Sequence, residues 1–183
     1  MAIWLVRAGR HGEQEDAALA KGIAVIGWEE LPDLSRVKTK EELAQLMKGT
    51  YPNEGPNTLT NWTGQVWAFR DRIKLNDLVV LPLKTRSAIA IGQVNGPYEY
   101  NSAGQAGGWC HTRNVKWLRT DFPRSVSIFG QDLLYSFGAF LTVCQIQRNN
   151  ADKRITAIVE GKPTPSVAIG GVPEEKIRAR ENC

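Results

Sequence analysis

The sequence predicts an α+β domain, a small sheet with helices packed on it, and three observations carry that reading. The first is a hairpin within residues 76–100. Residues 78–81 and 89–94 are Val- and Ile-rich runs with little charge, as strands buried on both faces require, and Lys84-Thr85-Arg86-Ser87 projects from their connection as a cationic tip. The second is a helix over about 58–74, whose Leu59, Trp62, Val66, Phe69 and Ile73 recur at alternating spacings of three and four. The third is the N-terminal order: apolar runs at 3–7 and 23–26 flank a short helix at 13–21, with acids in its first turn and Gly22 after its last. With 183 residues, 42% hydrophobic and 23% charged, the chain suits one core and is tight for two.

The remaining elements follow in order. Gly9-Arg10-His11-Gly12 breaks the first strand, and Gly27-Trp28 closes the second, which puts Trp28 at a strand end. Leu31-Pro32-Asp33-Leu34-Ser35 leads into a helix over about 39–47, and the turn-rich stretch 51–56 precedes the long helix. Trp67 lies about 100° around that helix from Val66 and shares its line with Arg70 and Lys74, so it borders the core. A Gly-rich loop at 101–108 holds Trp109 at its end, a strand over about 111–119 follows, and Asp121-Phe122-Pro123-Arg124 terminates it. Residues 131–137 suit a short helix, 141–146 are apolar and fit either helix or strand, and 150–160 suit a final helix. The domain is expected to span 1–162. Residues 163–183 read as a linker, small and weakly patterned and then a charge run, leading toward a further effector domain.

Composition bounds the function loosely. A net charge of +4 and a pI near 9.0 permit nucleic-acid binding without requiring it, because only clustered cations create a useful potential. No apolar run approaches the ~20 residues of a membrane-spanning helix, and M-A-I-W-L-V-R-A-G-R lacks the layout of a signal peptide, so a cytoplasmic protein is expected. Cys110, Cys144 and Cys183 are odd in number and widely spaced, which indicates reduced thiols and neither a disulfide framework nor a zinc knuckle.

No catalytic constellation stands out, and no cofactor or metal is expected. His11 and His111 lack metal-ligand spacing with the cysteines, there is no G-x-S-x-G, and Gly9-x-x-Gly12 is too loose for a phosphate loop. Asp152 with Glu160-Gly161-Lys162 faintly resembles the acid and E-x-K elements of a metal-dependent nuclease, but a solvated helix end followed by a turn before Pro163 is the simpler reading. Of six tryptophans, Trp4 and Trp117 fall inside strands and Trp62 on the helical stripe, where packing explains them. Trp28, Trp67 and Trp109 border loops, where an aromatic either stacks on an extruded base or closes the end of the fold. Arg7, Arg10, Lys84, Arg86, Arg113 and Lys116 lie near strand ends and are candidates for a joint cationic patch, although each alone is equally a solvated charge.

Taken in order, W-L-V-R-A-G, G-I-A-V-I-G-W, the helix with W-A-F, D-L-V-V-L-P with I-G-Q-V-N-G-P-Y-E-Y, and N-V-K-W-L-R-T-D-F-P resemble the N-terminal domain of Mrr-type restriction proteins over roughly residues 1–160. That domain is grouped with the EVE, YTH and PUA-like folds, small twisted mixed β-barrels flanked by helices, several of which read modified bases. The resemblance implies a non-catalytic module that recognises a methylated base in double-stranded DNA, N6-methyladenine or methylated cytosine, by flipping it into an aromatic pocket. Its implied partner is a C-terminal nuclease domain of a modification-dependent (type IV) restriction protein. By position, Ala8 and Gly9 fall in the site-lining loop, and Trp28 matches the aromatic after the second strand that walls the cage. Trp109 stands nearest to the second wall though its spacing departs from the family pattern, Trp67 is the substitute, and Leu83 or Pro82 is available for a third. Arg7, Arg10, Lys84, Arg86, Arg113 and Lys116 would then hold phosphates, giving affinity that falls with salt and does not select the base. The alternatives are a nuclease centre at Asp152, Glu160 and Lys162, a methylated-RNA reader, and a protein-interaction module without nucleic acid.

Overall fold

A computed structural model describes residues 1–165 and places a six-stranded mixed sheet between two layers of helices. The elements are β1 (Ile3–Val6), α1 (Glu15–Lys21), β2 (Ile23–Ile26), α2 (Lys40–Thr50), α3 (Pro56–Trp67), β3 (Leu78–Pro82), β4 (Ala88–Tyr100), β5 (His111–Pro123), α4 (Val126–Phe129), α5 (Gln131–Phe137), β6 (Val143–Gln145) and α6 (Ala151–Val159). The strand order is β2-β5-β4-β3-β1-β6, with β1 and β3 parallel and the other neighbours antiparallel. The α+β class follows, with an open sheet in place of the expected closed barrel. Closure fails because β1 has two edges: β3 takes one and β6 the other, Val6 pairing with Val143, so β2 and β6 end the sheet.

Alternation along the strands divides the core. Trp4, Val6, Val79, Ala24 and Ile26 face a cluster with Leu43 and Met47 of α2 and Val66 of α3, whereas Ile3, Leu5, Leu78 and Val80 face Phe129, Leu133, Phe137 and Ile155 of α4, α5 and α6. β3 and the first half of β4 are therefore buried on both faces, as their composition requires, while β4 beyond Val94 alternates with exposed residues. Trp4 adds a polar anchor: its indole donates to Asp77 Oδ2 at 3.0 Å, and the same buried carboxylate accepts the amides of Ala2 and Lys74.

Local chemistry explains the helix ends. Thr39 Oγ1 accepts the Glu42 amide at 3.2 Å while Glu42 Oε2 accepts the Lys38 amide at 2.7 Å, so the start of α2 is tied on both sides. The long helix departs from the periodic expectation. It is α-helical only to Trp67 and widens into a π turn over Ala68–Arg72, ending where the Ile73 amide donates to Ala68 O. The cause is tertiary, because the buried Arg113 guanidinium collects the carbonyls of Phe69 (3.1 Å) and Ile73 (2.8 Å) together with Gly96 (3.2 Å). The ambiguous 141–146 stretch is the edge strand β6, and the expected tail beyond 165, with Cys183, lies outside the described residues. Among the described residues no helix is long and apolar enough to cross a membrane.

Candidate functional site

At the end of the sheet where β1, β2 and the β3–β4 connection terminate, a groove of about 1300 Å³ opens. Its walls hold Gly9, Trp28 and Leu83 of the expected base pocket and Arg7, Arg10, Lys84 and Arg86 of the expected phosphate contacts. Arg124, which reads as part of a strand terminator, completes a set of five cations against two lining carboxylates, Glu13 and Glu29. A concave surface of one dominant sign concentrates an anionic partner.

The tip is built from below. Glu15 is 2% exposed, and its carboxylate accepts the amides of Lys84 (2.6 Å) and Thr85 (3.2 Å) and the Thr85 hydroxyl (2.5 Å), so the first turn of α1 shapes the β3–β4 turn. Lys84 Nζ then donates to Arg10 O at 2.5 Å, which joins the tip to the loop after β1. Gly9 is required in that loop: its φ is +88°, and a Cβ would fall about 2.1 Å from the Glu13 carboxylate.

Trp28 holds the least ordinary conformation in the groove. Its φ of 63° is left-handed, and its carbonyl accepts the Leu31 amide at 3.0 Å in the turn that follows β2. A bulky L-residue there costs on the order of 1–3 kcal/mol, which persists only where the surroundings enforce it. The enforcement is visible. Trp62 meets Trp28 edge-to-face with centroids 6.0 Å apart and planes at 68°, and Tyr51 meets Trp62 at 5.3 Å and 81°. The Tyr51 hydroxyl donates to Glu30 Oε2 at 2.7 Å, and burial with that carboxylate raises the phenol's pKa. Beneath the turn lies His111, fully buried, its Nδ1 2.7 Å from the Tyr98 hydroxyl; burial lowers its pKa, and the carbonyls of Trp28 and Leu31 act in the opposite direction.

The other expected pocket residues lie elsewhere. Trp109 is half-buried under Lys21 Nζ, 4.4 Å from the ring centroid, and is enclosed by its own loop: a Cβ on Gly104 or Gly107 would come within 2.6 Å of the indole. Trp67 packs on the α2/α3 core with the Arg70 guanidinium 5.6 Å from its ring, and Ala8 is buried. Neither Trp67 nor Trp109 lines the groove; the tryptophan that joins Trp28 there is Trp62. Among the phosphate candidates, Arg113 is 5% exposed and committed to backbone carbonyls, so it is withdrawn from any surface contact, and Lys116 is exposed on β5 opposite Gln93, away from the groove. Arg7 lies between these cases. It donates to the carbonyls of Phe137 (2.8 Å) and Ala139 (2.7 Å and 3.1 Å) and still lines the groove.

Sequence reasoning missed Trp62, Gln14, Glu29, Arg124 and Phe140, all of which line the groove. For Trp62 the available signal was its place only two turns after Pro56, where a buried stripe runs out toward the surface. The nuclease-like trio does not assemble. Asp152 and Glu160 stand at opposite ends of α6, about 12 Å apart in helical rise, and Glu160 pairs with Lys162 at 2.7 Å. Among the described residues no three His, Cys, Asp or Glu side chains converge on a metal position.

Residues 4–135 match the family model of a domain of unknown function, DUF8426, and the chain belongs to that family. No curated protein matches it significantly.

Proposed function

We propose that this chain is a non-catalytic DNA-reading module of the PUA-like (EVE/YTH-like) kind found at the N-terminus of Mrr-type restriction proteins. It takes a methylated base, extruded from duplex DNA, against Trp28. The observation that carries the reading is Trp28 itself: a tryptophan held in a costly left-handed conformation, partly buried against the core, in a groove lined by five cations. Its edge-to-face relation to Trp62 makes a corner rather than a slot, so a base stacked on one indole meets the other edge-on.

The energetics are consistent. Extruding a base costs a few kcal/mol, and stacking recovers about 1–3 kcal/mol per base. Burying one methyl adds only about 0.8 kcal/mol, so discrimination rests on the corner's shape and on polar groups at its edge. Gln14 and Glu29 line the same groove and supply such groups, and a carboxylate accepts from an exocyclic amine. The rim cations Arg10, Lys84, Arg86 and Arg124 give sequence-independent, salt-sensitive affinity. In this reading the cutting activity belongs to a nuclease partner domain, and the protein works in the cytoplasm.

The test is a titration of matched duplexes carrying one N6-methyladenine, one 5-methylcytosine or no modification, at fixed salt, with a methylated RNA of the same sequence as competitor. A preference for one modified duplex that Trp28→Ala abolishes supports the reading. Equal affinity for all three duplexes, or preferential capture of the RNA, overturns it.

A further inference from the structure

Of the large apolar side chains exposed among the described residues, Phe140 alone lines the groove; Tyr135, Val126, Leu118 and Leu75 do not. Phe140 is also the extreme case, at 104% relative exposure, without protein cover on any side. A scattered exposed apolar residue needs no explanation; this one differs in how its backbone is held.

The loop at 138–142 is pinned at both ends. On one side the Arg7 guanidinium binds the carbonyls of Phe137 and Ala139, and the Gly138 amide donates to Leu134 O at 3.1 Å. On the other, the buried Gln65 Oε1 accepts the amides of Thr142 (2.8 Å) and Val143 (3.1 Å), while the Arg7 amide donates to Thr142 O at 2.9 Å. Phe137, just before, is buried in the core. A loop with its backbone pinned on both sides therefore presents a bare aromatic ring at the rim of a cationic groove.

Resting on the base-extrusion reading above, we propose that Phe140 is a wedge: it enters the gap that the extruded base leaves in the duplex and stacks on the neighbouring pairs, while Arg7 and Arg124 lie beside it on the groove wall. Apolar side chains between base steps are a known physical means of holding an unstacked duplex, and a flat ring fits the space of a missing base. The role is distinct from that of Trp28, which contacts the base once it is out.

The experiment separates these roles. The full chain and its Phe140→Ala and Phe140→Leu variants are titrated with duplexes bearing one N6-methyladenine or one 5-methylcytosine and with single strands of the same sequences, a 2-aminopurine placed next to the modified base. A wedge predicts that Phe140→Ala weakens duplex binding tenfold or more, changes single-strand binding less than twofold and suppresses the rise in 2-aminopurine fluorescence on the duplex, with Phe140→Leu intermediate. Because the ring has no protein contacts to lose, the melting temperature stays put. Unchanged duplex affinity in Phe140→Ala, or equal loss on duplex and single strand, overturns the wedge while a persisting wild-type preference keeps the reading. Absence of any wild-type preference overturns both.

Discussion

Arg7, just past the end of β1, and Arg113, on β5, both spend a guanidinium on backbone carbonyls, but in different surroundings. Arg113 is enclosed by β4 and the π turn, and its Nε has no partner among the described residues. Arg7 reaches the carbonyls after α5 from the groove wall, and burial with the nearby Arg124 charge lowers its pKa. The contrast separates an enclosed staple from a cation that also lines the open groove. Proximity to a strand end does not make a cation a ligand contact; what decides is whether its strand position faces the enclosed helix layer or the open end of the sheet.

The sharpest way to break this contrast is Arg113→Met. Leaving buried carbonyls without a donor should cost about 3 kcal/mol in urea unfolding, with the salt dependence of DNA binding unchanged. A stability change within error, or a lowered salt slope, would erase the distinction. Arg7→Met is expected to fall between: a loss of about 1–2 kcal/mol, since its carbonyls can turn to water, together with weaker duplex binding because the 138–142 loop loses an anchor. Smaller again, Arg86→Gln and Arg124→Gln should each leave the unfolding midpoint in place, Lys84→Gln should lower it slightly because Arg10 O loses its donor, and each should reduce the slope of log affinity against log salt by about 1 if it meets a phosphate. The smallest effect belongs to His111. Its folded pKa lies below the ordinary 6.5, so the neutral ring is favoured by folding; the contribution is complete above pH 6.5 and is lost as pH falls toward the folded value. Melting temperatures between pH 7.5 and 5.5 should therefore decline more steeply for the wild type than for His111→Gln, and parallel curves would remove His111 from the account.

What was legible in the sequence was local. The hairpin strands are buried on both faces because their Val and Ile content leaves no polar side to expose, and Val66, Phe69 and Ile73 are buried as their spacing expects, although Phe69 lies in the π turn and Ile73 beyond it. Periodicity gives direction, not depth: Trp62 packs against the core as expected, yet it also lines the groove. The early end of α3 was hidden because its cause, Arg113, lies 44 residues beyond Phe69. The open sheet was hidden for a similar reason: the three residues of β6 become a strand only by finding the edge of β1. At the site, the strand-end position of Trp28 was readable and its backbone angle was not, since nothing in Gly27-Trp28 announces a left-handed tryptophan. Phe140 carries no pattern at all; only the absence of neighbours marks it.

Glu15 bears a consequence for how substitutions in this family would be tolerated. Three donors point at one carboxylate, two amides and a hydroxyl, and a glutamine would present its own NH₂ to at least one of them. Glutamate-to-glutamine exchange, among the mildest on a protein surface, becomes one of the harsher single changes here. In a saturation library selected for DNA binding, this helix position, which lines no groove, should tolerate fewer replacements than the exposed cations Lys84 and Arg86 whose turn it shapes.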